Sequence, residues 1–384
     1  MKTTRSVRAL SALAILSATP LAALAGPMNP PTGVPVSTMK TLSEIEPRIA
    51  VNAENTPGDA DSVFKITQPG SYYLTASVVG EVGKSGIEIT ASRVKLDLSG
   101  MSVVGVAGSL SGVMVTGSNV EVRDGTVAGW SVDGVDADAF AQVRGVRALG
   151  NGGVGVKLGA YGSAFDSVCN SNGSHGLRVY SGGQAIKCQA ELNNGHGIYV
   201  QNSGNMLIDC LAFYNKLDGI RSDYQSTVKG CVAAYNEQNG FTLDYSMVSD
   251  SMATSNMQSG FRLDKGTMAN SCNALTNAQN GFYLLTSSTV MNSTATSNGS
   301  GGHASLNAGF YAQGANTKVD SCHAATNARG FYASANANAV LVTNTASGNT
   351  LAQFVISSGN DSGAIITNPG TGFTATNPFA NIAP

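Results

Sequence analysis

Three aspartates at near-constant spacing, Asp223, Asp244 and Asp264, are the first residues in this sequence whose types and intervals suggest chemistry. Arg221 and Arg262 stand two residues before the first and last of them, and Arg178 lies two intervals upstream of Arg221. If one interval of chain makes one layer of structure, the three carboxylates come to ~4.8 Å from one another. Carboxylates that close repel, which raises a pKa, or they share a hard cation, for which Ca2+ is the candidate. Guanidinium forks grip carboxylates in pairs of hydrogen bonds, so the same stripe could hold a uronic acid chain. Tyr180, Tyr199, Tyr224, Tyr245 and Tyr283 fall on or beside it, and a flat ring with a hydroxyl edge suits stacking on sugars. The candidate metal ligands are therefore Asp223, Asp244 and Asp264. The candidate substrate-binding residues are Arg178 and the five tyrosines, and Arg221, Arg262 and His196 are the candidate catalytic groups.

A plainer account exists for each feature. Arg and Asp on one face also form surface networks of small energetic consequence, and tyrosine is a common outward residue of strands. His175, His196 and Asp218 each precede a glycine at successive intervals. They could bind a transition metal or shuttle a proton, and polar residues in such places also serve simply to solvate a turn.

What must position these residues is a repeat. Asn151, Asn172, Asn193, Asn215, Asn236, Asn256, Asn277 and Asn298 recur every 20 to 22 residues, and Asn327 and Asn349 continue after one interval of 29. Four residues after most of them comes Gly and then an apolar residue, as in Gly176-Leu177, Gly197-Ile198 and Gly240-Phe241. Alternation follows (Leu177 and Val179, Phe261 and Leu263), which is the period of a strand. A Cys or Ser, with Ala two residues later, marks another strand: Cys188 and Ala190, Cys210 and Ala212, Ser251 and Ala253. A third apolar column, including Leu207, Val228 and Val248, lies three residues before the Cys/Ser column. Each repeat is thus a coil of about three short strands. Such a coil cannot bury a core alone, so equivalent strands must stack into parallel sheets around a dry interior. Inward Asn at each turn would bond the backbone of its own and the next coil.

The expected fold is all-β, a single-stranded parallel β-helix of about twelve coils over residues 85 to 360. Its organisation is expected as a signal peptide (1–25), an N-terminal segment and cap (26–74), the helix (75–366) and a C-terminal tail (367–384). The cap and tail rest on Pro47, Pro57 and Pro69, on Tyr72-Tyr73, and on Pro369, Pro378 and Pro384.

Composition agrees with this reading. Charged residues are 12% of the 384, about half the usual share. Gly numbers 46, and the Leu/Glu/Lys combinations that fill amphipathic helices are few. The net charge of -2 leaves no cationic excess for a phosphate backbone, so no nucleic-acid partner is expected. Lys2, Arg5 and Arg8 precede an apolar run that ends in Ala23-Leu24-Ala25, the pattern of a secretory signal cleaved after Ala25. A periplasmic or secreted monomer without a membrane span is expected. Export and six cysteines ordinarily suggest disulfides, but Cys188, Cys210 and Cys231 occupy one inward column, with Cys169 near it. Buried thiols are the expected outcome, with a bridge between neighbouring coils as the alternative.

The pattern Asn-x-x-x-Gly-apolar-x-apolar, followed by Cys/Ser-x-Ala-x-x-Asn, resembles the right-handed parallel β-helix repeats of the pectate-lyase-like superfamily over about residues 85 to 360. Phe64 to Leu74 and Asn377 to Ile382 are similar to exported bacterial β-helix proteins of unassigned function. The superfamily resemblance implies polysaccharide lyases, hydrolases and epimerases, together with non-catalytic surface proteins. It also implies Ca2+-binding Asp with an Arg or Lys base, which the stripe matches in residue type. Gly195-His196-Gly197 is similar to the Gly-His-Gly of polygalacturonases, but that family's Asp and Arg-x-Lys motifs are missing at matching positions, so its acid and base are not carried over. The expected function is binding of a polysaccharide, uronate-containing by preference, with its cleavage by a polysaccharide lyase or a glycoside hydrolase as an open alternative to binding alone. The alternative is a non-catalytic extracellular scaffold or adhesin.

Overall fold

The computed structural model describes residues 47–300, 307–367 and 377–383. The signal peptide, residues 26–46 and the middle of the tail lie outside the described residues.

The chain winds as a parallel solenoid of short strands. One coil reads Met206–Ile208, Leu211–Phe213 and Ile220–Ser222, which are the three strands per repeat expected. The third strand of each coil joins a front sheet of 14 parallel strands, running from Ser62–Ile66 to Ala352–Ile356. The other strands form a second sheet that folds round the remaining faces. Parallel stacking begins upstream of residue 75, with Ile49–Val51 against Gly70–Leu74 and Ser62–Ile66 against Ser85–Ile89. At the other end Asn381–Ile382 adds itself in parallel to Ile365–Ile366. Within residues 85 to 360 the front sheet has thirteen strands, one more than expected.

Three inward columns interlock, and together they explain the repeat. Each asparagine from Asn151 to Asn327 donates through Nδ2 to Oδ1 of the asparagine one coil on, as Asn215 does to Asn236 at 3.0 Å. The same Oδ1 accepts the backbone N–H of Asn215, and Asn215 Nδ2 also reaches the Ala190 carbonyl. Every polar atom of the buried amide is thereby used. The glycine column exists because this amide comes so close. A Cβ on Gly219 would sit 2.6 Å from Asn236 Nδ2 and 2.8 Å from Ala233 Cβ, which is also why the facing column is alanine. Beneath the front sheet Phe241, Phe261, Phe282, Phe310, Phe331 and Phe354 stack with centroids 4.7–4.9 Å apart, the repeat of the strands themselves.

All six cysteines are buried and unbridged. Burial pushes the thiols of Cys169, Cys272 and Cys322 upward, the last to about 12. Cys169 is not beside the Cys column: it pairs with Ala190 in the alanine column, and Ser167 takes the place equivalent to Cys188.

Candidate functional site

The outward residues of the front sheet fall in the order expected. Lys157, Arg178, Tyr199, Arg221, Thr242, Arg262, Tyr283, Tyr311 and Tyr332 pair rung by rung. Asp244 pairs with Asp264, and Asp223 follows Ser222, which pairs with Leu243. The three aspartates are therefore on successive coils.

Each aspartate is turned to a cation. Arg221 Nε donates to Asp223 at 2.9 Å, Lys265 Nζ to Asp244 at 2.8 Å, and Arg262 lies 3.9 Å from Asp264. Lys265 comes from the corner after the strand, outside the column, and its backbone N–H also donates to Asp264. Among the described residues no three carboxylate, imidazole or thiol groups converge as a metal site. With each carboxylate engaged by its own cation, the stripe as arranged is not a ready cage for Ca2+.

Asp223 also accepts a hydrogen bond from the Tyr199 hydroxyl. Gln201 Nε2 donates to that hydroxyl at 2.8 Å, and Arg178 donates to Gln201 Oε1 at 2.6 Å. Burial, then the bond to Asp223, raises the Tyr199 pKa, so the phenol holds its proton. A continuous polar chain thus runs from Arg178 through Gln201, Tyr199 and Asp223 to Arg221.

The residues preceding the turn glycines form a second ladder. His175 Nδ1 accepts the His196 N–H at 3.0 Å, and His196 Nδ1 accepts that of Asp218 at 3.1 Å. Asp218 Oδ1 accepts from Asn239, and Asn239 Oδ1 from Ser259. The column caps backbone amides from coil to coil, and its two imidazoles stack at 5.2 Å with Tyr199 tilted against both. Because Nδ1 is an acceptor, the neutral ring carries its proton on Nε2. Burial lowers both His175 and His196 to about 4. Burial also raises Asp218, whose side chain is 2% exposed and lies 3.8 Å from Arg221.

Between Arg221 and Arg262 the column holds only Thr242, itself buried. The gap is a polar notch of about 350 Å³, walled by Asp218, Arg221, Asp244, Arg262, Asp264 and Lys265. Arg262 is 40% exposed, makes no side-chain hydrogen bond among the described residues, and leans over the Tyr283 ring at 5.6 Å. Tyr283 bonds to Gln313, away from the notch. Tyr224 and Tyr245 meet edge to face at the corner, half exposed. Tyr180 stands upstream with the Arg178 guanidinium over its ring at 4.9 Å. The structure thus gathers Arg221, Arg262, Asp244 and Asp264 at the notch, leaves Asp223 outside it on Arg221, joins His196 to it through Asp218 and Tyr199 through Asp223, and leaves Tyr180, Tyr224 and Tyr245 on its flanks.

Sequence reasoning missed Lys265, which no column contains, and a larger pocket upstream of about 500 Å³. This pocket involves Asp136, Asp138, Lys157 and Tyr180. Asp133 and Asp136 carry a usable signal, since Asp133 precedes a turn glycine and Asp136 pairs with Lys157. They lie where the repeat is least regular.

Parallel coils, a front sheet of one strand per turn and a buried asparagine ladder define a right-handed parallel β-helix. A family model described as the right handed beta helix region matches residues 111–271 and 193–310, and the chain belongs to that family. The matches together span more than half of its 384 residues. No curated protein matches the sequence. Among solved structures, the A-module of the Azotobacter vinelandii mannuronan C-5 epimerase AlgE4 is similar at 18% identity and a TM-score of 0.53, over 77% of this chain and 91% of that one. The periplasmic alginate epimerase AlgG is 10% identical with a TM-score of 0.38, over 87% and 80%. The receptor binding domain of the Siphovirus 9NA tailspike is 9% identical with a TM-score of 0.40, over 83% and 78%. The first likeness establishes the shared fold, and the other two add nothing to it. Among the described residues no helix is long and apolar enough to cross a membrane.

Proposed function

We propose that the front face binds an acidic polysaccharide across the notch between Arg221 and Arg262. The observation that carries this is the state of the hydrogen-bonding groups. The carboxylates around the notch already accept hydrogen bonds: Asp244 from Lys265, Asp218 from Asn239, and Asp264 from the Lys265 amide. The guanidinium of Arg262 donates no side-chain hydrogen bond among the described residues, its ion pair with Asp264 being a long one at 3.9 Å, so its donors stay open to a ligand. Donors in a planar fork suit the carboxylate of a uronate. The secretory pattern at the N-terminus supports the reading, because an exported chain meets polysaccharides.

Chemistry on the bound sugar would start from its C5 proton, made more acidic when a carboxylate is neutralised by the two guanidiniums. Elimination and C5 epimerisation share that step. Arg221, Arg262 and His196 all present donors, so their part is to stabilise charge. The C5 proton would go to the Tyr199 oxygen as that phenol's own proton moves along its hydrogen bond to Asp223, which would end as the carboxylic acid.

The test is calorimetric titration of the mature protein with oligogalacturonate, oligomeric alginate and a glycosaminoglycan. Alginate is included because the epimerase module named above acts on mannuronan. Binding should occur with at least one of them and fall by about tenfold or more in Arg262→Ala, the loss of a charged hydrogen-bonded pair. Deuterium uptake at C5 in heavy water, and absorbance of unsaturated products, then separate binding from catalysis. A protein that binds none of the three would favour a non-catalytic scaffold, a role that the ion pairs of Asp223 with Arg221 and of Asp244 with Lys265 also fit.

A further inference from the structure

The upstream pocket differs from the notch in its chemistry. Its floor is made of small residues, Ala137, Gly159 and Ala160, with Val115; Met114 stands one rung before Asp136 in the outward column, and Tyr180 lies on the far side of Lys157. A Cβ on Gly159 would lie 2.7 Å from the Asp138–Ala139 backbone, so the floor is held flat by close packing of the adjacent coil. Asp136 binds Lys157 at 3.1 Å, and the buried Asp133 reaches the same ammonium at 4.0 Å. Asp138 is exposed and bonds only the neighbouring Ala139 amide, with no cation within 4 Å among the described residues. One ammonium thus serves two carboxylates, and a third, Asp138, stands without a cation.

Acceptors are in surplus here, whereas at the notch it is donors. Even with Arg178 over one face of Tyr180, Asp133, Asp136 and Asp138 outnumber the cations, which disfavours a uronate; a hydroxyl-rich ring would find acceptors in Asp136 and Asp138, a donor in Lys157 and the other face of Tyr180. Beside the rim, Phe140 and Tyr161 stack at 5.1 Å and are 51% and 59% exposed. Both hold φ near 60°, a conformation that bulky residues rarely adopt. Four rungs separate Lys157 from Thr242, or about 19 Å along the same face.

We infer that this pocket is a second carbohydrate subsite, selective for a sugar ring without a carboxylate. The inference rests on the reading of the front face as a polysaccharide surface, and it adds that the ligand, or part of it, is neutral.

The experiment titrates the mature protein with manno- and galacto-oligosaccharides and, separately, with oligogalacturonate and oligomeric alginate. Three variants are compared: Asp138→Ala, Ala160→Trp to fill the pocket, and Arg262→Ala at the notch. Thermal melts check that each is folded. Neutral oligosaccharides should bind the parent protein, weaken about tenfold or more in Asp138→Ala and Ala160→Trp, and be unaffected by Arg262→Ala. Oligouronate binding should show the reverse pattern. Neutral sugars that fail to bind, or bind the two pocket variants as they bind the parent, overturn the subsite while leaving the notch standing. Loss of oligouronate binding in all three folded variants would mean one undivided acidic-sugar site, and would equally overturn it.

Discussion

The paired imidazoles make stability depend on pH in a direction that can be worked out. His175 and His196 take protons at about 4 in the folded protein, against 6.5 for the unperturbed side chain. Between those values the unfolded chain binds protons that the folded one refuses. Stability is therefore complete above about pH 6.5, falls as the pH is lowered, and levels off below about pH 4. The gap corresponds to a ceiling on the order of 3 kcal/mol for His196, which is 9% exposed. The pair together should lose less than twice that, because His175 is more exposed and part of its shift comes from His196. The column itself supplies the control. Asn239 and Asn280 accept the next coil's amide through Oδ1, which branches from Cγ as histidine Nδ1 does. The double substitution of His175→Asn and His196→Asn should thus keep the ladder and remove the titration. Asp133 and Asp218, raised by burial, gain stability as the pH falls, but they do so in both proteins and cancel in the comparison. Scanning calorimetry at about pH 7 and about pH 4.5 should show a large loss in the parent and a much smaller one in the variant. Parallel losses in the two proteins would refute the assignment of buried, neutral rings.

Other outcomes follow from the same geometry. Gly219→Ala should destabilise by roughly 1–3 kcal/mol in urea unfolding, since the new Cβ meets both Asn236 and Ala233; an unchanged midpoint would mean that the columns do not interlock. Any Ca2+ on the acidic stripe must displace Lys265 from Asp244, so Lys265→Ala should tighten Ca2+ binding and Asp244→Asn should abolish it. Calorimetry showing no Ca2+ binding in the parent or in Lys265→Ala would remove the metal. Thr242→Tyr should leave the fold intact, because Tyr199, Tyr283, Tyr311 and Tyr332 occupy the same column. It should nevertheless eliminate oligouronate binding by filling the notch, and retained affinity in that variant would place the ligand elsewhere on the face.

The fold was legible because its signal is redundant. Ten asparagines, their glycines and their alanines each report the same period, and the physical cause of all three is a single close approach of amide to backbone. Where two columns use residues of similar size, type alone does not separate them. Cys169 is the example: it stands three residues before Asn172 as Ala190 does before Asn193, so spacing, not residue type, puts it in the alanine column, and the register agrees. The line of outward residues was also legible, since alternation fixes which side chains face out. Their pairing was not. Lys265 reaches Asp244 from a corner, and Tyr199 reaches Asp223 on the next coil, so partners depend on side-chain length and direction rather than on place in the repeat. The same limit hid the second ladder. Reading His196 as a free imidazole required not knowing that the Asp218 amide occupies its Nδ1.

That ladder is also what makes the notch a rigid site. Asp218 cannot swing toward a ligand without giving up two bonds to Asn239, and Asn239 in turn holds the Ser259 amide on the following coil. The wall of the notch is therefore tied to backbone over successive coils, while Arg262 on the opposite side is tied to little. A ligand would meet one fixed surface and one movable fork, which is an arrangement suited to reading a repeating polymer: the fixed wall sets the register, and the arginine adjusts to the charged group that each sugar presents. Arg262 donates no side-chain hydrogen bond among the described residues and meets Asp264 only at 3.9 Å, so its fork can turn to a ligand without breaking the ladder that holds the opposite wall.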